Sequence, residues 1–304
     1  MFDYSYTAAY VAAKETAILS KEALSRIAAD RSEALRLLSQ TGYGGGAADS
    51  ASALVDNEMS SLRAFIMNSL PEELYSLLIL PYDAHNLKVL LKCSVNGADP
   101  APYLYDNTVF DTEIAAACCR GGEFSLLSEN LAKLLDPAYD NGLLSSPFGI
   151  STECDRAFYD EISKRAASAP DVAAEYVRAE ADGRNFISFI RAKNTNLDKD
   201  SFKALLLPGG SVPAELFAAA YESGADDMKA YTFGYAAHDA LCAAADKLKS
   251  SMSDVYDSLD NYAYSILEPY RYEPESFVPV FLYFRKKTAE ARYVREAFSD
   301  GGAV

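Results

Sequence analysis

The sequence predicts an all-α protein built from three similar helical units. Three observations lead there. Apolar residues recur at helical rather than alternating spacing along most of the chain, stretches of strand character are scarce, and one short pattern returns at close to a third of the 304 residues. The composition is that of a globular protein, with 50% hydrophobic and 24% charged residues, and the length allows two or three compact units.

Taken in order, the helices announce themselves by their punctuation. Ser20 precedes KEALSRIAA and Ser32 precedes EALRLLSQ, each an N-cap followed by acidic residues that suit the positive end of a helix dipole. The second of these stops at Thr41-Gly42, and Tyr43-Gly44-Gly45-Gly46 reads as a flexible loop between helices. From Ala47 to Leu70 the residues Leu54, Met59, Leu62, Ile66 and Leu70 step along one helical face. Pro71 opens the next helix, EELYSLLIL. Pro81 is expected to break or kink it before a new helix from Asp83 to about Val95, which ends near Gly97; DPAPYLYDN is then a loop.

The recurring pattern is Asp, two residues, Asn, an apolar residue, two more residues, two apolar residues and a base. It reads Asp83, Asn86, Leu87, Leu90, Leu91 and Lys92, then Asp182, Asn185, Phe186, Phe189, Ile190 and Arg191. A degenerate third copy runs from Glu290 through Tyr293 and Val294 to Phe298, and the copies start 99 and 108 residues apart. A second marker, a Leu-rich helix end followed by tyrosine, recurs in step at Tyr43, Tyr139 and, weakly, Tyr231. Together they divide residues 1–304 into approximate repeats 1–99, 100–200 and 201–304 of a single body. In each copy the apolar residues at i, i+3 and i+4 make one helix face. Asp83, Asn86, Asp182, Asn185 and Glu290 lie a turn earlier, placed to cap the helix or to bond a neighbouring backbone; the alternative is a direct part in binding.

Much chemistry is excluded by what is missing. With 28 basic and 44 acidic residues the formal charge is −16, which argues against a domain-wide grip on nucleic acid. His85 and His238 are the only histidines, too few for a His-rich metal centre. The five cysteines, Cys93, Cys118, Cys119, Cys154 and Cys242, show no CxxC pair and read as reduced, buried or half-buried thiols of a cytosolic protein. No stretch has the makings of a signal peptide or of a membrane span; the least charged, from about Ala230 to Ala245, is too short and carries His238 and Asp239. The glycines after Tyr43 lack the strand and the GK[ST] of a phosphate cradle, and the GxSxG, HExxH and EF-hand patterns are absent. The acidic residues read as solvated helix faces. No catalytic residue, cofactor, metal or small-molecule substrate is expected.

The last helix stands apart. After the apolar run Phe277 to Phe284, five of the 28 basic residues fall between Arg285 and Arg295. Phe284, Ala291, Val294 and Phe298 form an apolar stripe, with Arg285, Arg292 and Arg295 in a second stripe beside it. One reading is an amphipathic helix that closes the bundle; the other is a docking surface for an acidic partner or lipid head groups.

These markers, in this order, resemble the C subunit of bacterial and archaeal V/A-type rotary ATPases, the family that includes the d subunit of eukaryotic V-ATPases. The resemblance rests on the block from Tyr4 to Glu15, the Leu19-Ser20-Lys21-Glu22 that follows, the TGYG at Thr41, the two Asp/Asn helices and the terminal helix from Glu290 to Arg295. It spans residues 4 to 298, and departs from the family at Tyr293, where Asn is expected, in the AADSASA segment and in the C-terminal GGAV. The resemblance implies a funnel-shaped all-α body with three units about a pseudo-threefold axis. It implies a non-catalytic socket that couples the central shaft of the soluble ATPase to the membrane proteolipid ring for proton or sodium transport, peripheral on the cytoplasmic face. The alternative from another class is an all-helical repeat scaffold unrelated to ion transport.

Overall fold

The computed structural model describes residues 4–29, 31–46, 50–223, 228–273 and 275–298. Among the described residues there are helices and turns and no strand. In chain order the helices are α1 (Tyr4–Glu15), α2 (Lys21–Ala29), α3 (Arg31–Gln40), α4 (Ala51–Ser69), α5 (Glu72–Asn96), α6 (Thr112–Gly121), α7 (Glu129–Asp140) and α8 (Pro147–Ala166). They continue with α9 (Asp171–Asn194), α10 (Lys199–Ala204), α11 (Ala214–Ser223), α12 (Met228–Thr232), α13 (His238–Lys247), α14 (Met252–Leu267) and α15 (Val278–Phe298). None of them is long and apolar enough to cross a membrane.

Side chains that satisfy the first free N–H groups fix where the helices start. Ser20 accepts from Ala23 N–H at the start of α2, Ser50 from Ala53 N–H at α4, Ser146 from Gly149 N–H at α8 and Ser251 from Asp254 N–H at α14. Asp111 accepts from the N–H groups of Glu113 and Ile114 at α6. Ser32 is not a cap, because α3 already begins at Arg31; its side chain lies outside the described residues. The GGAV tail and most of the AADS part of AADSASA also lie outside them.

Three further expectations change. Pro81 does not end a helix: α5 runs through it without interruption from Glu72 to Asn96. Buried Leu77, Leu78, Ile79 and Leu80 before or beside it and Ala84, Leu87 and Leu91 after it belong to the same packed body, which outweighs the lost N–H. The loop after Tyr43 is an ordered 3₁₀ turn, Tyr43–Gly45, seated on α4 with Tyr43 and Gly44 buried. Gly44 has φ of 59°, and a Cβ there would stand 2.1 Å from the Leu54 carbonyl oxygen, so only glycine allows this approach. The tyrosine marker also shifts: Tyr43 follows left-handed Gly42, whereas Tyr139 lies inside α7 ahead of left-handed Gly142. The glycines, not the tyrosines, hold the equivalent places.

The chain forms two compact units, Met1–Tyr75 with Leu267–Val304, and Ser76–Ile266. In the first, α15 packs on α1, α2 and α4. In the second, α7 and α9 pack on α8, and α10 and α11 pack on α9, where an aromatic core gathers Phe189, Phe202 and Tyr221. All five cysteines are free, four of them buried and Cys242 half-buried.

Candidate functional site

The residues singled out by the repeat are used structurally in the same way twice. On α5, Asp83 accepts from Val109 N–H at 3.0 Å and Phe110 N–H at 2.8 Å. One turn on, Asn86 pairs with the peptide of Tyr105 in both directions: its amide donates to Tyr105 O and its carbonyl accepts from Tyr105 N–H, each at 2.8 Å. On α9, Asp182 accepts from Ser211 N–H and Oγ and from Val212 N–H, and Asn185 pairs in both directions with Leu207. In each case the acid and amide bind points four residues apart on a bent strap, with left-handed backbone at Asn107 or Gly209, that leads into the next helix, α6 or α11. The Asn side chain stands in for a neighbouring strand, and the carboxylate satisfies two N–H groups that no helix uses.

Close approach of the second strap depends on glycine. A Cβ on Gly210 would come within 2.3 Å of Asp182 Oδ1. Both acids are deeply buried, Asp182 completely so. Burial pushes Asp83 up to about 7, against the pull of the Phe110 and Val109 N–H groups and of the Arg165 charge. Asp182 is raised for the same reason, opposed by its bonds from Ser211 and Val212. Both carboxylates are spent on their straps.

The third copy, in the other unit, is built differently. Glu290 on α15 accepts from Leu19 N–H at 2.6 Å, so its strap comes from the opposite end of the chain and leads into α2. Leu19 precedes the Ser20 cap as Phe110 precedes the Asp111 cap and as Val212 precedes Pro213 before α11. The second carboxylate oxygen of Glu290 meets the ammonium of Lys287, which is 4% exposed. Lys287 also reaches Glu58 of α4 at 2.7 Å and lies 4.7 Å from the centre of the Tyr43 ring. Glu58 in turn accepts from Gly44 N–H at 2.8 Å, which ties the 3₁₀ turn into the same buried network. Burial raises Glu290, with Lys287 pulling it back.

Tyr293 takes the place that Asn86 and Asn185 hold, and the backbone explains why no amide is needed. Tyr105 and Leu207 lie five residues before the last N–H of their straps. Five before Leu19 is Lys14, inside α1, where its carbonyl already accepts from Ala17 N–H. Ile18 N–H, at the place of Val109 and Ser211, bonds Glu15 O instead of the acid.

Lys287, Glu58 and Leu19 escape a reading by charge and pattern. One signal was present: Lys287 falls on the apolar stripe of Phe284, Ala291 and Val294, where a charge must be paired. Two residues of the basic stripe beside it are engaged within their own unit. Arg295 meets Asp56 at 2.9 Å, Arg292 lies 3.9 Å from Glu296 and over the Tyr293 ring, and Arg285 is half-buried. His85 Nε2 is 3.0 Å from Tyr103 O, and His238 Nδ1 is 3.0 Å from Thr232 Oγ1. Among the described residues no cluster of three or more His, Cys, Asp or Glu side chains is placed to hold a metal ion.

Comparison with known proteins gives the family. A family model described as ATP synthase (C/AC39) subunit matches residues 7–296. Among curated relatives, the C subunit of the A-type ATP synthase of Desulfurococcus sp. (strain SY) is 22% identical, over 96% of this chain and 85% of its own length. The C subunit of the A-type ATP synthase of Thermococcus gammatolerans is 23% identical, over 73% of this chain and 62% of its own length. Matched over nearly its whole length, the chain belongs to the ATP synthase (C/AC39) subunit family.

Proposed function

We propose that the chain is a non-catalytic coupling subunit of an A/V-type ATP synthase: a socket that joins the central shaft to the membrane proteolipid ring and passes torque between them for proton or sodium transport. The observation that carries this reading is the family match across residues 7–296. A torque-bearing part needs stiffness more than reactive groups. The buried acid and amide bonds, which tie α5, α9 and α15 to straps distant in sequence, supply it, because close-packed interiors with satisfied polar groups resist deformation.

On this reading the body has three units about a pseudo-threefold axis, sits peripherally on the cytoplasmic face of the membrane, and leaves ATP chemistry and ion translocation to other subunits. The even division 1–99, 100–200 and 201–304 separates each acid from its strap. A division that starts each unit at its acid-bearing helix keeps them together, with the third unit formed from both ends of the chain. The stripe of Arg285, Arg292 and Arg295 remains a proposed docking edge for an acidic surface, its side chains exchanging internal partners for external ones.

The test is isolation of the tagged chain from its own cells at low salt, followed by identification of what comes with it. Shaft and proteolipid subunits are expected together; absence of both overturns the proposal. A polar contact with the ring would also loosen as salt rises. Charge reversal at Arg285, Arg292 and Arg295 that leaves every partner bound removes the docking edge alone.

A further inference from the structure

Residues 4–20 are fastened differently from the other two straps. Each of those is held at both ends, by two N–H groups on a carboxylate and by a peptide paired with an asparagine. The strap at Leu19 is held by one N–H on Glu290, and Tyr293 offers no amide to pair a peptide. Helix α1 ahead of it buries only Thr7 and Val11 of its twelve residues. A cleft of about 190 Å³, lined by Ala8, Val11, Ala12, Arg271, Pro279 and Leu282, lies against it. Its remaining ties include the Glu15 to Lys286 ion pair at 2.5 Å and the Tyr10 ring against Phe65, both partly open to solvent. Few buried apolar contacts and solvent-accessible bonds are the marks of a segment that opens before the rest.

We propose that residues 4–20 form a hinged arm that leaves α15 as one cooperative unit, α1 losing its helix once it is off α15 because twelve residues alone are marginally helical, and releasing Leu19 from Glu290, while the straps at Asp83 and Asp182 stay shut. Opening uncovers the Lys287, Glu58 and Glu290 network without unfolding α4 or α15, whose own packing is extensive. On the socket reading the arm is the seam at which the body gives when a shaft enters or leaves. That use rests on the proposed function; the opening itself does not.

Native-state hydrogen exchange on the full chain, with no partner present, tests the arm alone. The Val11 and Leu19 amides are expected to exchange at one shared opening rate, about tenfold or more faster than Phe110 and Val212. Glu290→Gln is expected to speed both by about another tenfold and to leave Val212 within about twofold. Should that variant fail to fold, Glu15→Gln, which breaks the pair with Lys286, is expected to speed the same two amides about threefold. Exchange at Val11 with Leu19 still as protected as Val212 would mean end fraying and would overturn the arm. So would acceleration of all straps together.

Discussion

The straps at Asp182 and at Glu290 do the same job by opposite means. The first uses a neutral amide and an acid surrounded by backbone donors, with no ion pair drawn into the core. The second uses a longer acid, a buried ammonium and a further carboxylate, all in one network. The difference follows from the chain's course: the bent strap at Asp182 offers two free N–H groups, while at Leu19 the preceding N–H, of Ile18, is already taken by Glu15 O, so the spare carboxylate oxygen needs another donor. A buried charge balanced in this way is costly to halve, whereas a neutral amide fails more gently.

Substitutions on both sides of this comparison sharpen it. The largest effect is expected for Glu290→Ala, which leaves Lys287 buried with Glu58 alone and orphans Leu19 N–H. A loss of about 3–5 kcal/mol, read by urea unfolding, is expected, and less than about 1 kcal/mol would show the network to be hydrated. Next comes Asn185→Ala, which strands both polar groups of buried Leu207, at about 2–4 kcal/mol. Asn86→Ala should cost about half as much, because half-exposed Tyr105 can turn to water. Equal losses would mean that burial does not separate the two straps.

The pH dependence comes third. Aspartate in an unfolded chain titrates near 4. Burial raises Asp83 to about 7, so between those values the folded chain holds the proton more tightly than the unfolded one. Stability from this group is therefore greatest below the unfolded value and falls as pH rises through the window. The advantage of wild type over Asp83→Asn should shrink from pH 4 to pH 7. A widening gap would show that the Val109 and Phe110 N–H groups outweigh burial. The smallest effect is expected for Arg295→Glu, whose partner Asp56 is exposed: under about 1 kcal/mol, and less in high salt.

The helices and the Asp/Asn pairs were legible because both are written locally, within one turn or one apolar face. Their partners were not, since a backbone N–H on a strap has no residue type to mark it; the Gly209-Gly210 pair beside Asp182 is the nearest thing to a signature. Lys287 was hidden for another reason. Its charge assigns it to the basic surface, and only its register on the stripe of Phe284 and Ala291 places it inside. Pro81 misleads because a local penalty of about 3 kcal/mol yields to the burial of several leucines on either side. Tyr43 and Tyr139 show the converse hazard, a match of letters four residues out of register.

The bond from Leu19 to Glu290 spans 271 residues, against 26 to 30 for the bonds of Asp83 and Asp182 to their straps. On a ribosome the two short-range closures are available as soon as their straps emerge. The long-range one must wait for α15, so α1, α2 and α4 stand without their partner helix until it is made. Leu19 is thus made long before the group that secures it, and a chain truncated before residue 290 would leave this unit open however well the other had folded.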